Sequence, residues 1–223
     1  EARQKRGRLK VFLGMCPGVG KTFAMLQAAH CELKAGRDLV IGYVETHARK
    51  ETDTLAAGLP QLPRKRFEYR GVTLGEMDLD AVLARRPQLA LVDELAHTNA
   101  PGSRHPKRYQ DVEELIGAGI SVITSINLEY IAEQQEFVRE VVGRAPPDTV
   151  PQEFISRAEE VVVVDAPPDA EAGRAAKLSE LRQRALLLTA EVVDRQLEAY
   201  LRLHGIQSSW GTQERILVCM TPR

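Results

Sequence analysis

The chain has 223 residues, of which 43% are hydrophobic and 27% are charged, and its formal net charge is −1. This composition is typical of one large globular domain or a domain with an appendage, and the near-zero net charge gives no general attraction to nucleic acid or an anionic membrane. No apolar run approaches the roughly 18 residues of a membrane span, and three cysteines without metal-site spacing favour a reducing, cytoplasmic setting with no direct membrane insertion.

The first predicted strand, residues 10–14, leads into a glycine-rich segment. Residues 15–22 have the sequence MCPGVGKT, and a helix is predicted over residues 21–34. Strand, glycine-rich turn, Gly-Lys-Thr and helix in this order are typical of a phosphate-binding loop. The strict pattern has glycine where this chain has Met15, and Gly14 stands one place earlier.

Each residue type in this segment suits a nucleotide. Gly18 and Gly20, on either side of Val19, allow backbone N–H groups to close around phosphates without a Cβ in the way. The following helix N-terminus adds the positive end of a dipole. Lys21 is predicted to reach the β- and γ-phosphates and Thr22 to ligate Mg²⁺, so we expect ATP and Mg²⁺ as ligands. The alternative is a strand–helix turn with a chance Gly-Lys-Thr.

Apolar runs alternate with helical patterns along most of the chain. The further predicted strands are residues 39–44, 66–69, 89–92, 121–125 and 161–164. The further predicted helices are residues 52–57, 80–85, 110–116 and 128–141. Continuous apolar strands separated by helices favour a parallel sheet covered on both faces. The predicted fold is therefore a P-loop NTPase-like, doubly wound α/β domain over residues 1–170.

The strand predicted at residues 89–92 ends in two carboxylates, Asp93 and Glu94. In a nucleotide-binding sheet such an Asp stands beside the phosphate loop and holds Mg²⁺, so Asp93 is predicted to share the metal with Thr22. Glu94 is placed to polarise a water molecule or a substrate hydroxyl, and both carboxylates are candidate catalytic residues. The alternative is an acidic turn, which is common at strand ends.

A loop rich in hydroxyl and basic side chains follows. Its candidate functional residues are Thr98, Ser103, Arg104, Lys107 and Arg108. Its proline and glycine residues disfavour a regular element, and its basic groups suit an acceptor hydroxyl or a transferring phosphate. A solvated loop without a role is the alternative. The histidines His47, His97 and His105 lie just past strand ends, and the sequence leaves their part in a site open.

The pattern changes after residue 165. Residues 178–203 predict one long amphipathic helix, and such helices gain most of their stability from packing. Its apolar face could pack on the P-loop domain or on the same helix of a second chain, and we expect packing within the chain. Residues 215–220 predict a strand that either joins the sheet edge or begins a further domain. We therefore divide the chain into residues 1–170 and a helical linker with a terminal strand, residues 171–223.

Three further segments make a family resemblance specific. They are GYVETHAR at residues 42–49, VDELAHTNAPGSRH at residues 92–105 and KRYQDV at residues 107–112. Together with the glycine-rich segment they resemble the cytoplasmic N-terminal domain of the KdpD family, the osmosensitive potassium-channel sensor histidine kinases of bacteria. The family also lacks glycine at the position of Met15. The tail resembles the helix and first strand of the universal-stress-protein domain that follows in this family.

The chain departs from the family in two places. The family's Thr-Thr-x-Asn-x-Gln-His run is TSINLEY here, at residues 124–130. Ser125 keeps a hydroxyl, whereas Glu129 and Tyr130 replace an amide and an imidazole, so no role is carried over to these two. Between Ala170 and Leu178 the family has a longer segment. Either this member is short there, or part of a loop is missing from the sequence.

The resemblance implies a larger inner-membrane protein of a two-component regulatory system. That protein has four transmembrane helices, a dimerising histidine domain and a catalytic ATPase domain, and it controls transcription of a potassium-uptake pump through a response regulator. The chain would be its cytoplasmic part, with the remaining kinase domains as partners and the response regulator and pump components reached through the parent protein. The phospho-accepting histidine is not among the five histidines of this chain.

Three functions remain open for the chain itself. The leading hypothesis is a regulatory ATP-binding module whose nucleotide occupancy biases the kinase and phosphatase balance of the parent. The second is a serine/threonine-type kinase or slow ATPase acting on a protein partner. The third, an interaction module with a vestigial loop, leaves Lys21, Thr22, Asp93 and Glu94 without a purpose. ATP turnover by the purified chain, with and without a protein acceptor, separates these hypotheses.

Overall fold

The computed structural model describes residues 6–165 and 172–203. The strands are β1 Leu9–Gly14, β2 Leu39–Tyr43, β3 Lys65–Tyr69, β4 Val72–Glu76, β5 Leu89–Val92, β6 Ser121–Asn127 and β7 Glu160–Val164. The helices are α1 Lys21–Lys34, α2 Lys50–Ala57, α3 Leu79–Arg85, α4 Arg108–Gly117, α5 Gln135–Val142, α6 Gln152–Ser156 and α7 Ala172–Leu203. Two 3₁₀ turns, Leu128–Tyr130 and Ala132–Gln134, precede α5.

Five strands form one parallel sheet in the order β2-β5-β6-β1-β7. Strand β6 lies between β5 and β1, with Thr124 opposite Val92 and Asn127 opposite Gly14. The carboxyl ends of these three strands therefore meet at one edge of the sheet, which is where open α/β sheets bind ligands. The arrangement confirms the predicted doubly wound α/β fold with a mainly parallel sheet and a C-terminal helix.

Helices cover both faces of this sheet. Neighbouring residues of a strand point to opposite faces, so alternate residues of one strand belong to different cores. In β5, Leu89 and Leu91 belong to the core under α1 and α2. The intervening Ala90 and Val92 belong to the larger core that α3 to α7 build on the other face. Since both sets are buried, the strand is apolar throughout, as the sequence indicates for a sheet with two covered faces.

The prediction that residues 66–69 join the parallel sheet is wrong. They belong to β3, which pairs with the unpredicted β4 in a separate antiparallel hairpin. Arg70 and Gly71 connect the two strands with φ angles of 50° and 78°, and two positive φ angles are what a two-residue hairpin turn of type I′ requires. In β3 only Phe67 is half-buried, so this charged strand lies outside the core.

The prediction of one helix over residues 128–141 is only partly right. The two 3₁₀ turns occupy its first half, and α5 begins at Gln135. Ile131, between the turns, is extended (φ −87°, ψ 122°), fully buried and bridged to Val150. An extended backbone cannot belong to a helix, so the helical path is interrupted at this buried residue.

The C-terminal helix α7 has 32 residues and begins earlier than predicted. Leu181, Ala185, Leu188 and Val192 are buried in it, and it packs against α5, α6 and β7, which confirms packing within the chain. Within residues 6–165 and 172–203, no helix combines the length and apolar character that a membrane crossing needs. The predicted strand at 215–220 and the division at residue 170 fall outside the described residues, so both stay predictions.

Candidate functional site

A cavity of about 400 Å³ lies at the carboxyl edge of the sheet. Its walls come from the glycine-rich loop and first turn of α1, the segment that joins β2 to α2, the turn after β5 and the end of β6. The volume is within the range of small-molecule sites, which favour this edge of a doubly wound sheet. The topology therefore gathers the predicted loop and the predicted carboxylates around one space.

The backbone of the glycine-rich loop explains its irregular spacing. Gly18 and Gly20 have φ angles of 86° and 92°, a left-handed conformation that favours glycine. A Cβ on Gly14 would lie 2.7 Å from Cδ of Lys21, so the aliphatic stem of this lysine crosses closely over Gly14. Met15 is instead buried in the core. The close approach that a glycine must allow thus occurs at Gly14, one place before the consensus position.

Lys21 is the first residue of α1 and lines the cavity. Burial lowers the pKa of its ammonium group, and the nearby Asp93 carboxylate opposes that shift. A cation that has lost water in this way is stabilised by a bound anion. The group is therefore suited to phosphate, which also gains from the N-terminal end of the helix dipole.

Asp93 is almost fully buried and accepts hydrogen bonds from three directions. Thr22 Oγ1 donates to its Oδ2 at 2.9 Å, and the Ser125 hydroxyl and the Glu94 N–H donate to its Oδ1. The structure thus brings together Thr22 and Asp93, the two residues predicted to hold Mg²⁺. A hydroxyl and a carboxylate fit this ion, which prefers oxygen ligands and takes the remainder from water and phosphate.

Glu94 is more exposed to the cavity than Asp93. Its φ angle of 54° is unusual for a residue with a Cβ and indicates local backbone strain. Its carboxylate oxygens lie 3.9 Å from Nε2 of His47 and 3.6 Å from Nη1 of Arg108. The side chain remains 37% exposed, so it can meet a water molecule or a ligand in the cavity.

Arg108, at the start of α4, is fully buried behind this turn. Its guanidinium lies 3.7 Å from the ring centroid of Tyr43, and its Nη1 donates to the Asp93 carbonyl at 3.3 Å. Its Nη2 forms an ion pair with Glu76 at 2.9 Å. The guanidinium therefore joins the turn after β5 to the end of the hairpin strand β4.

Glu76 holds the other side of this contact. Besides Arg108, it accepts a hydrogen bond from the Ala100 N–H at 2.9 Å, and its Oε1 lies 3.0 Å from Nε2 of His97. Burial alone would raise the pKa of this carboxyl, but the His97 contact and the Arg108 charge outweigh it and lower the pKa overall. Glu76 is thus an anion at neutral pH and compensates the buried guanidinium.

The matching family model and the similar curated proteins indicate the same family. Residues 5–180 match the family model of KdpD, described as the osmosensitive K⁺ channel His kinase sensor domain. The chain belongs to the KdpD family. It is 46% identical to the sensor protein KdpD of Escherichia coli K12, over 98% of this chain and 27% of the relative, and 41% identical to that of Mycobacterium tuberculosis H37Rv, over 97% and 28%.

This chain therefore spans just over a quarter of the length of these two KdpD proteins. Among solved structures, the crystal structure of AviGT4, a glycosyltransferase involved in avilamycin A biosynthesis, has a TM-score of 0.29 and 19% identity, over 90% of this chain and 52% of that one. That likeness is too weak to bear on the fold or the function of a KdpD domain.

The structure places most of the predicted nucleotide-binding residues at the cavity. Gly18, Gly20, Lys21 and Thr22 line it, and so do both carboxylates after β5. Val19 does not line it, because its side chain packs against the larger core. The juxtaposition follows from the parallel strand order, which brings the ends of β1 and β5 to the two sides of β6.

The predicted acceptor loop borders the cavity without lining it. None of its five residues lines the cavity: Thr98, Ser103, Arg104, Lys107 and Arg108. Arg104 forms ion pairs with Asp80 and Glu114, and Lys107 pairs with Asp148 at 2.6 Å. Carboxylates of the chain thus already neutralise these cations. The acceptor role of the loop stays a prediction that the geometry does not favour.

Several cavity residues were missed or left open by the sequence. His47 and His97 line the cavity, whereas His105 pairs with Glu114 outside it. Asn127 and Tyr130, at and beyond the end of β6, also line it. Burial and nearby carboxylates raise the pKa of Tyr130. The sequence shows only that these residues follow the end of a strand. That position does not distinguish residues that point to the cavity from residues that do not.

Proposed function

We propose that this chain is the ATP-binding regulatory domain of a sensor histidine kinase that controls the expression of potassium-uptake genes. ATP with Mg²⁺ would occupy the cavity at the edge of the sheet. Membership of the KdpD family supports the kinase context. The observation that carries the nucleotide proposal is the meeting, in one cavity, of the desolvated Lys21 ammonium and the Thr22–Asp93 pair.

Each part of the loop contributes to phosphate binding in this proposal. The left-handed Gly18 and Gly20 expose backbone N–H groups without side chains, and the N-terminus of α1 supplies the positive end of a dipole. Lys21 reaches the terminal phosphates, and the bound phosphate replaces the water that burial removes from its ammonium. Thr22 and Asp93 would hold Mg²⁺, which would neutralise part of the phosphate charge.

The same contacts suggest how nucleotide occupancy is communicated. Thr22 would offer an oxygen lone pair to Mg²⁺ while its hydroxyl hydrogen still donates to Asp93, so the ion would add its charge beside the Asp93 carboxylate. Asp93 is connected through its carbonyl to Arg108, and Arg108 to Glu76 at the end of the hairpin. A change at the metal thereby alters contacts of a second element. ATP can shift the balance of kinase and phosphatase activity only if its affinity differs between the two states of the parent protein.

The whole-protein setting is part of the proposal. The chain would be the cytoplasmic domain of an inner-membrane protein, working with the remaining kinase domains, a response regulator and, through them, the potassium pump. The length of the E. coli relative, of which this chain covers 27%, leaves room for those parts.

Calorimetric titration of ATP into the chain, with Mg²⁺, tests the nucleotide proposal. We expect Lys21→Ala to weaken ATP binding by about 2–3 kcal/mol, because it removes a charge-assisted bond to phosphate. Lys34→Ala is the matched control, since Lys34 ends the same helix and is exposed. Equal ATP affinity of the wild-type chain and the Lys21 variant would exclude this site as the nucleotide site.

A second candidate function is phosphoryl transfer to a protein hydroxyl, or slow ATP hydrolysis. One observation favours it: the Glu94 carboxylate is exposed to the cavity next to the Asp93–Thr22 pair, where a general base would stand. Phosphate release and labelling of added protein substrates by radioactive ATP would distinguish this activity from binding alone.

A further inference from the structure

Asn127 occupies a central position at the sheet edge. It is the last residue of β6, which lies between the strand that carries Asp93 and Glu94 and the strand that leads into the glycine-rich loop. It pairs in register with Gly14 and lines the cavity. Sequence reasoning gave it no role.

The carboxamide of Asn127 is buried without being satisfied. The residue is only 7% exposed, and its Nδ2 lies 3.5 Å from Oε1 of Glu129, the outer limit of a hydrogen bond. Its Oδ1 has no hydrogen-bond partner within residues 6–165 and 172–203. A buried amide oxygen without a partner costs free energy, and such atoms in a folded protein need an explanation.

The position separates Asn127 from the other atoms of this kind. In the same described ranges, the buried side-chain atoms without a partner are Ser103 Oγ, Arg108 Nε, Thr124 Oγ1 and Asn127 Oδ1. Of these residues, Asn127 alone lines the cavity. An unsatisfied group at a ligand site is explained most directly by a partner that the ligand brings.

The path of Lys21 indicates which end of the ligand this is. The stem of Lys21 crosses over Gly14, and Gly14 is the register partner of Asn127. The stem of the lysine that reaches the terminal phosphates in the proposed function therefore lies at the strand end that pairs with Asn127. The carboxylates of Asp93 and Glu94 border the same space from the strand on the other side.

We infer that Asn127 recognises the terminal phosphate of a bound nucleoside triphosphate and so makes the site prefer a triphosphate to a diphosphate. Its Nδ2 donates to a γ-phosphate oxygen in place of the long contact to Glu129. Its Oδ1 accepts a hydrogen bond from a water molecule on that phosphate. This inference rests on the proposed function, because it assigns a role within the same nucleotide site.

The test compares ATP with ADP, each titrated with Mg²⁺ into the chain and its variants by calorimetry. We expect Asn127→Ala to weaken ATP binding about tenfold, the effect of losing one hydrogen bond to a charged group, and to leave ADP binding nearly unchanged. Asn127→Asp should weaken ATP binding further, because a carboxylate repels the terminal phosphate.

Thr124→Val provides a matched control on the same strand. It removes another buried oxygen without a partner in the described residues, but Thr124 does not line the cavity, so the ratio of ATP to ADP affinity should not change. An equal loss for both nucleotides in the Asn127 variants, or no loss, overturns the inference. If thermal unfolding shows that Asn127→Ala does not fold, the ratio of ATP to ADP affinity in the isosteric Asn127→Asp variant tests the inference instead.

The outcomes also separate this inference from the proposed function. If the wild-type chain binds neither ATP nor ADP, both fall together. If ATP binding depends on Lys21 but its preference over ADP does not depend on Asn127, the nucleotide site stands and the role of Asn127 is excluded.

Discussion

At the scale of single residues, Asp93 and Glu94 are adjacent in sequence but have different surroundings. Asp93 is 2% exposed and is held by Thr22 and Ser125, whereas Glu94 opens to the cavity beside His47. The left-handed φ angle of Glu94 turns the chain between them. A buried, fixed carboxylate suits a metal, and a partly exposed one suits proton transfer.

We expect substitutions at these two carboxylates to separate metal binding from turnover. Asp93→Asn should remove most of the increase in ATP affinity that Mg²⁺ brings, because the neutral amide is a weaker ligand for a hard cation. Glu94→Gln should leave ATP affinity nearly intact and slow any ATP hydrolysis. The measurements are ATP titrations with Mg²⁺ and with a chelator, alongside phosphate release.

The thermal unfolding midpoint serves as the control for both variants, since Asp93→Asn also weakens the hydrogen bonds from Thr22 and Ser125. A reversed pattern, with Glu94→Gln abolishing the Mg²⁺ effect and Asp93→Asn leaving it, would show that the two roles are exchanged.

The sequence predicted part of this residue-level arrangement. The pairing of Thr22 with Asp93 follows from a parallel sheet that places two strand ends together, and it was predicted. The unsatisfied oxygen of Asn127 and the burial of Arg108 were not, because they depend on how side chains turn after their strands end. Arg108 was assigned to a basic loop suited to an acceptor hydroxyl or a transferring phosphate, since a sequence does not show which cation of a cluster is buried.

At the scale of elements, side-chain contacts connect the β3–β4 hairpin to the turn after β5. Most of its side chains are exposed, but its last residue, Glu76, is buried against Arg108. Arg108 in turn contacts the Asp93 carbonyl and the Glu94 carboxylate. The hairpin thus reaches the site through Glu76, by its ion pair with Arg108 and its contact with His97, although it shares no ladder with the main sheet.

We expect Glu76→Gln to destabilise the chain by about 3–5 kcal/mol, because it removes the nearer counter-charge of the buried guanidinium and leaves it the more distant, partly exposed Glu94. Glu68→Gln in the same hairpin is the control, since Glu68 is exposed and its loss should change stability by less than about 0.5 kcal/mol. Urea unfolding at pH 7 measures both values. Equal stabilities of the two variants would show that Arg108 is compensated by other groups.

The contribution of Glu76 to stability should depend on pH. The pKa of Glu76 is lower in the folded chain than its ordinary value of 4.5, so its contribution to stability is present above that value and is lost as the pH falls through the folded pKa. The difference in stability between wild type and Glu76→Gln should therefore shrink below about pH 4.5. A difference that stays constant down to the acid transition would contradict the assignment.

The hairpin also shows where pattern-based prediction of elements fails. Of the six strands predicted within residues 1–170, five join the parallel sheet, because apolar runs bounded by turns identify buried strands. The sixth, at residues 66–69, lacks that apolar character and pairs with a partner only three residues away across Arg70 and Gly71. Its charged residues were the indication that it is not a buried strand. The break at Ile131 had no such indication, because its apolar spacing also fits a helix.

At the scale of the whole molecule, α7 closes one face of the α/β layer. It contacts α5, α6 and β7. Two of its polar side chains also form hydrogen bonds to the rest of the chain: Arg184 donates to Gln134, and Gln196 donates to the Ala158 carbonyl. Among the α7 side chains that the structure describes, none lines the cavity. Stability and nucleotide binding should therefore respond differently to changes in this helix.

We expect Leu188→Ala to lower the free energy of unfolding by about 2–5 kcal/mol, the cost of deleting a large side chain that is 2% exposed in the main core. Leu197→Ala, a matched change on the same helix where the side chain is 55% exposed, should change it by less than about 0.5 kcal/mol. Both variants should bind ATP with wild-type affinity at a temperature where they are folded. If folded Leu188→Ala loses ATP binding, α7 supports the site through the core that it shares with β1 and β6, and the predicted division near residue 170 would cut through a single functional unit.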